Sequence, residues 1–179
     1  MGSVAETVSD LILLTGFSGV GKTTVANILG EVGSFRIINC GDVLKARLAS
    51  IDVATKSRPE IGTAFLARFP VASIFGVLAD EYRRYASEPA ILDGVRFALT
   101  CEQFREEWPQ SRVWHIECDP AIRDERLSLR GVSANDRSRA ALGDDDSRFE
   151  PIADVIIRND GTVDELRRRT IDEFRKASR

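Results

Sequence analysis

The sequence predicts an α/β fold, a parallel sheet with helices on both of its faces. Three observations carry that reading. Five short segments rich in β-branched or apolar residues recur along the chain, helical patterns stand between them, and turn residues bound each segment. The segments do not alternate polar with apolar residues, as expected of strands buried on both faces of a parallel sheet.

The elements follow in order. MGSVAETVS at the start is polar and reads as a loose tail, LILLT from Leu11 as the first strand, and TVANILGEV as the first helix. FRIIN from Phe35 is the second strand. An interruption from about Gly41 to Phe75 contains Gly62 and two prolines, and VASIFGVLADEYRRYA is helical. AILD from Ala90 is the third strand, TCEQFREEW a helix, and RVWHIEC from Arg112 the fourth strand. Asp119-Pro120 opens the next helix, PAIRDERLSLR, because Asp caps free backbone N–H groups and Pro fits the first turn. GVSANDRSRAALGDDDSRF, Gly131 to Phe149, is polar and charged; such insertions are functional covers or disordered loops. ADVIIRN from Ala153 is the fifth strand, and Thr162 with Glu165 three residues later forms a capping box for the last helix. No internal repeat or low-complexity tract interrupts the series.

Composition bounds the function. At 179 residues, 43% hydrophobic and 30% charged, the chain suits one globular domain. Twenty-five Lys and Arg against 28 Asp and Glu leave a net charge of -3, so no global basic field recruits nucleic acid or anionic membrane. Cys40, Cys101 and Cys118 lack the paired spacing of a zinc site and read as reduced, mostly buried thiols, and the expected location is cytoplasmic. No run approaches the ~20 apolar residues of a membrane span, and no secretory leader pattern is present.

GFSGVGKT, Gly16 to Thr23, stands between the first strand and the first helix and meets the pattern G-x-x-x-x-G-K-[ST] with Gly16, Gly21, Lys22 and Thr23. Glycines let the backbone wrap an anion closely, and helix-start N–H groups point partial positive charge at it. Ser18, Gly19, Val20 and Thr24 complete the candidate nucleotide-binding set. Lys22 would reach the β- and γ-phosphates of ATP, and the Thr23 hydroxyl would ligate Mg²⁺. Asp93 closes AILD and would stand beside this loop at the carboxyl edge of the sheet, either organising Mg²⁺ or forming an Asp-Gly turn with Gly94. Arg126 and Arg130, four residues apart, share a helix face with Arg123, where an anion or solvent would offset their charge.

Together these segments resemble the adenylate-kinase-like nucleoside monophosphate kinases, especially the branch near small archaeal kinases and dephospho-CoA kinases. GDVLKARL, Gly41 to Leu48, resembles the G-D-x-L-R segment that opens the acceptor domain, with Lys45 where Arg is usual. ILDGVR resembles the stretch whose arginine, here Arg96, holds the acceptor phosphate. RLSLR is similar to the lid-opening R-x-x-x-R, and ADVIIRNDGTVDEL to the end of the relatives where the chain passes the adenine, which implicates Asn159 and Gly161.

The resemblance implies a P-loop NTPase-type three-layer sandwich within one domain. Its sheet would have five parallel strands in the order 2-3-1-4-5, an acceptor-binding insertion over 41–76 and a lid over 131–149. It further implies transfer of the γ-phosphoryl group of ATP, with Mg²⁺, to a nucleoside or deoxynucleoside monophosphate. Asp42, Lys45, Asp93 and Arg96 would serve the acceptor. Lys22, Arg96, Arg126, Arg130 and Arg137 would be the catalytic set, the last three neutralising developing charge, with Arg139 as a further lid arginine. Two other readings stay open: a kinase of dephospho-CoA or another small alcohol, and a non-catalytic ATP-binding switch or ATPase subunit. A polynucleotide kinase would want a basic track that the net charge does not advertise. His115 reads as a core or sheet-edge residue, and Asp144, Asp145 and Asp146 as solvating charges with a salt bridge to Arg148. The acceptor's base and the oligomeric state have no sequence signal.

Overall fold

All five expected strands form one parallel sheet in the order β2-β3-β1-β4-β5. The computed structural model describes residues 11–50, 64–85, 87–132 and 148–177. The strands are β1 (Leu11–Thr15), β2 (Arg36–Asn39), β3 (Ala90–Asp93), β4 (Arg112–Glu117) and β5 (Val155–Arg158). The helices between and after them are α1 (Lys22–Gly33), α2 (Cys40–Ala49), α3 (Ala72–Arg83), α4 (Ala98–Glu107), α5 (Pro120–Leu129) and α6 (Val163–Ala177).

The period-two geometry of a strand divides the apolar residues between two cores. Leu11 and Leu13 of β1, Leu92 of β3 and Val113 of β4 pack with Leu48, Leu78 and Phe104 from α2, α3 and α4. Ile12 and Leu14, Ile91, and Trp114 and Ile116 face the other way, against Val25 and Leu29 of α1 and Leu166 of α6. Continuous apolar runs in the sequence are thus two interleaved faces, each covered.

The expectation of burial on both faces holds in full for β1 and β3 and fails for β2 and β5. These two are the edges of the sheet, so Ile37 and Ile156 remain partly exposed. Each edge strand also carries an arginine. Arg36 reaches Glu88 at 2.8 Å, and Arg158 pairs with Asp160 and, at 3.9 Å, with Glu117.

Local signals set the helix starts. Asn39 caps α2 by accepting the Asp42 N–H at 3.1 Å, and Asp119 caps α5 by accepting that of Ala121 at 2.8 Å. The capping box of α6 is reciprocal: Thr162 Oγ1 accepts the Glu165 N–H at 3.2 Å while Glu165 Oε2 accepts the Thr162 N–H at 2.8 Å. Among the described residues no helix is long and apolar enough to cross a membrane.

His115 is wholly buried in β4, 2.9 Å from Thr15 Oγ1 through Nδ1, and its ring stacks on Phe149 with centroids 5.6 Å apart. Burial, and secondarily the Lys22 ammonium, push its pKa down from 6.5 to about 4. The unfolded chain therefore binds this proton more readily than the folded one, so the neutral ring's contribution to stability is lost as pH falls from 6.5 towards 4. In urea titrations across that range the wild type is expected to lose up to about 1.4 kcal/mol per pH unit from this group, and His115→Gln to lack that slope.

Candidate nucleotide and phosphoryl-transfer site

The segment between β1 and α1 is shaped by positive-φ glycines. Gly16 has φ 125°, Gly19 φ 92° and Gly21 φ 105°. At Gly16 the reason is space as well as angle: a Cβ there would lie 2.1 Å from the carbonyl oxygen of Ile116 in β4. At Gly21 a Cβ would meet Asn159 Nδ2 at 2.5 Å, the nitrogen that donates to the Val20 carbonyl at 2.7 Å. Loop and sheet end are in backbone contact. Ser18 and Thr24 are half-buried, and Val20 is buried.

Lys22 Nζ donates to the carbonyls of Gly16 at 2.6 Å and Phe17 at 2.7 Å, so its ammonium lies along the loop it follows. Thr23, next in α1, donates from Oγ1 to Asp93 Oδ2 at 2.8 Å. Asp93 is 2% exposed at the end of β3, with Leu14 and Asn39 as its register partners in the neighbouring strands. Asn39 Nδ2 donates to the same Oδ2 at 3.2 Å.

This geometry fits a hard cation. The Thr23 proton goes to Asp93, which leaves the hydroxyl's lone pairs for a metal, and Oδ1 of Asp93 accepts no hydrogen bond among the described residues. Two oxygens of this type suit Mg²⁺, which takes few protein ligands beside phosphate and water. No group of three or more His, Cys, Asp and Glu that could hold a metal occurs among the described residues.

Arg126 turns towards the β5–α6 connection. Its guanidinium donates to the carbonyls of Asn159 at 3.0 Å and Gly161 at 3.3 Å, two residues that the sequence implicated only by resemblance. Arg130 stands at the C-cap of α5 and is exposed. Arg137 and Arg139 lie outside the described residues, as do Asp144, Asp145 and Asp146. Of the residues expected to serve an acceptor, Asp42 and Lys45 are exposed in α2, and Arg96 is half-buried in the segment after β3.

Two residues at the site were absent from the candidate set. Arg123 places its guanidinium 4.9 Å from the centre of the Phe17 ring, over the loop, and its aliphatic stem touches the Gly19 position. Its spacing from Arg126 puts it on the same helix face, but nothing in the sequence shows which loop that face covers. Asn39 bonds both Asp93 and α2; its signal is an Asn directly before a helical pattern, a cap signature that says nothing of the carboxylate.

Cys40 and Cys101 are buried, and Cys118 is half-buried. Burial pushes Cys101 up to about 12 and Cys40 higher still, so neither is a nucleophile here.

The sequence matches the AAA domain family over residues 12–150. No curated protein matches the sequence. Among solved structures, a gluconokinase from Sinorhizobium meliloti 1021 superposes with a TM-score of 0.65 at 17% identity, over 97% of this chain and 95% of that one. A shikimate kinase from Acinetobacter baumannii, in complex with shikimate, gives 0.64 at 16% identity over 93% of each chain. A shikimate kinase from Bacteroides thetaiotaomicron gives 0.60 at 16% over 92% and 98%. At these identities the likeness establishes the fold, that of small P-loop kinases.

Gly16→Ala is expected to lower folding stability by about 2–5 kcal/mol, since its Cβ meets a backbone oxygen at a left-handed φ. Denaturant unfolding monitored by circular dichroism measures the loss.

Proposed function

The chain belongs to the AAA domain family, and on that premise we propose that it is a kinase that transfers the γ-phosphoryl group of ATP to a nucleoside or deoxynucleoside monophosphate. One observation carries the reading: a phosphate-loop threonine bonded to a buried carboxylate at the next strand's end, on whose following turn stands Arg96. Donor loop, candidate metal ligands and the Arg96 guanidinium share one sheet edge.

Each residue then has a task. Backbone N–H groups of Gly16 to Thr24 cradle the donor phosphates, and Lys22 swings from the loop carbonyls to the β- and γ-oxygens. Arg126 lies with Asn159 and Gly161 on the side of the adenine. Thr23 and Asp93 would hold Mg²⁺, which would supply positive charge to offset that of the phosphates. Arg96 and Lys45 hold the acceptor's anionic group, and Asp42 stands beside them on α2. An acceptor oxygen attacks the γ-phosphorus as the bond to the β–γ bridging oxygen breaks, and ADP leaves. Arg130 and the lid arginine Arg137 would neutralise charge on the transferring group.

A phosphate acceptor attacks through an oxygen that is already deprotonated, so this site needs no strong base. An alcohol acceptor must also lose a proton, for which Asp93 or Asp42 would serve. The gluconokinase and shikimate kinases that share the fold suggest such an alcohol as the second reading. What supports the nucleotide reading is an aromatic surface beside α2. Phe69, half-buried and 4.7 Å from Phe65 between ring centres, lies 5.8 Å from the Arg47 guanidinium and suits a flat base.

The test is a panel of nucleoside and deoxynucleoside monophosphates, dephospho-CoA, shikimate and gluconate with Mg·ATP, following ADP and the phosphorylated product. A monophosphate is expected to turn over best; turnover confined to shikimate or gluconate favours the alcohol reading. No product with any acceptor, alongside ATP binding that Lys22→Ala abolishes, returns the protein to a nucleotide switch. Lys22→Ala is expected to lower kcat/KM by about 10²–10³-fold. Arg96→Ala is expected to raise the acceptor's KM by about 10- to 100-fold, as loss of a charged hydrogen bond would. An unchanged KM places the acceptor's anion elsewhere.

A further inference from the structure

Asn39 touches both halves of the proposed site, and it uses both ends of its amide to do so. Nδ2 donates to Asp93 Oδ2 at 3.2 Å, and Oδ1 accepts the backbone N–H of Asp42 at 3.1 Å. The first bond acts on the carboxylate that fits Mg²⁺. The second is the cap of α2, the helix that carries Asp42 and Lys45. We infer that Asn39 is a positioning residue that couples the metal and donor phosphates to the acceptor-holding helix; the inference rests on the kinase reading.

The physical argument is one of shared constraint. Asn39 ends β2 and Asp93 ends β3, and the two are register partners, so the sheet fixes their backbones while their side chains keep some freedom. Both donors to Asp93, Thr23 and Asn39, converge on Oδ2 and thereby fix the direction of Oδ1. A cation that pulls on this carboxylate changes the Asn39 amide, and the amide cannot turn without altering the cap at Asp42. Linkage makes the effect reciprocal: ordering of the first turn of α2 favours the carboxylate position that receives the metal. The donor complex would thus be completed most readily when the acceptor's helix is in place. This ordering limits transfer of the phosphoryl group to water.

The experiment separates coupling from support, and uses ADP with and without Mg²⁺ as the probe. Hydrogen exchange of the amides around Asp42 and calorimetric ADP affinity are measured for the wild type, Asn39→Ser and Asn39→Asp. Serine caps a helix as well as asparagine but is too short to reach Asp93; aspartate keeps the cap and the shape but sets a second carboxylate against Asp93. In the wild type, Mg²⁺ added to the ADP complex is expected to slow exchange at Asp42 by about fivefold or more. In Asn39→Ser that Mg²⁺-dependent slowing is expected to vanish while affinity for metal-free ADP stays at the wild-type level. Asn39→Asp, should the serine variant fold poorly, is expected to lose the slowing as well. Retention of wild-type slowing in either folded variant overturns the coupling and leaves the kinase reading standing, as does a wild type that binds Mg·ADP with no response at Asp42. A wild type that does not bind Mg·ADP overturns both.

Discussion

A parallel sheet covered on both faces leaves very few places for polar chemistry. Its interior strands are sealed by α2, α3 and α4 on one side and by α1 and α6 on the other, so polar groups gather where the strands stop. Here the stopping points are nearly aligned. Leu14 pairs with Asp93 and Asn39 with Asp93, so β2 and β3 end level, β1 runs one residue further to Thr15, and α1 begins at Lys22 beyond it. The hydrogen bond from Thr23 to Asp93 closes that line. It ties the helix start to the sheet, and its direction, proton inward and lone pairs outward, determines what the phosphate loop can hold.

The loop itself is held from three directions. Gly16 lies against the backbone of β4, Val20 receives the amide of Asn159 from the far end of the sheet, and Arg123 of α5 covers Phe17 from above. The backbone of the loop is thereby fixed by its neighbours, while the Lys22 ammonium rests on the carbonyls of Gly16 and Phe17. Arg126 adds a link between α5 and the segment after β5, through the carbonyls of Asn159 and Gly161.

Much of the architecture was legible in the residues because it depends on local pattern. Apolar run lengths gave the five strands, and the caps at Asp119 and Thr162 are formed as their sequence signatures predict. The place of Asp93 beside the loop was legible too, since strand ends of a parallel sheet converge, but its hydrogen bond with Thr23 was not part of that reading. What the pattern could not show were relations set by packing. Exposure of β2 and β5 follows from their edge positions rather than their composition, which resembles that of the inner strands. Asn39 carried the signature of a cap and nothing of its second bond, because that bond depends on which strand lies next to it. Arg123 differed from its neighbours only in which loop lay beneath it.

The charged edges have a consequence for life at high concentration. An open sheet ends in two strands whose outward N–H and C=O groups invite another chain to add itself, and growth of that kind leads to fibrils. Both ends of this sheet carry an arginine held by a carboxylate, Arg36 with Glu88 at one and Arg158 with Asp160 at the other. An incoming strand would have to strip solvent from these charges before it gained a hydrogen bond. The same arginines that contribute little to folding, as exposed pairs do, therefore act as guards against self-association of the folded protein.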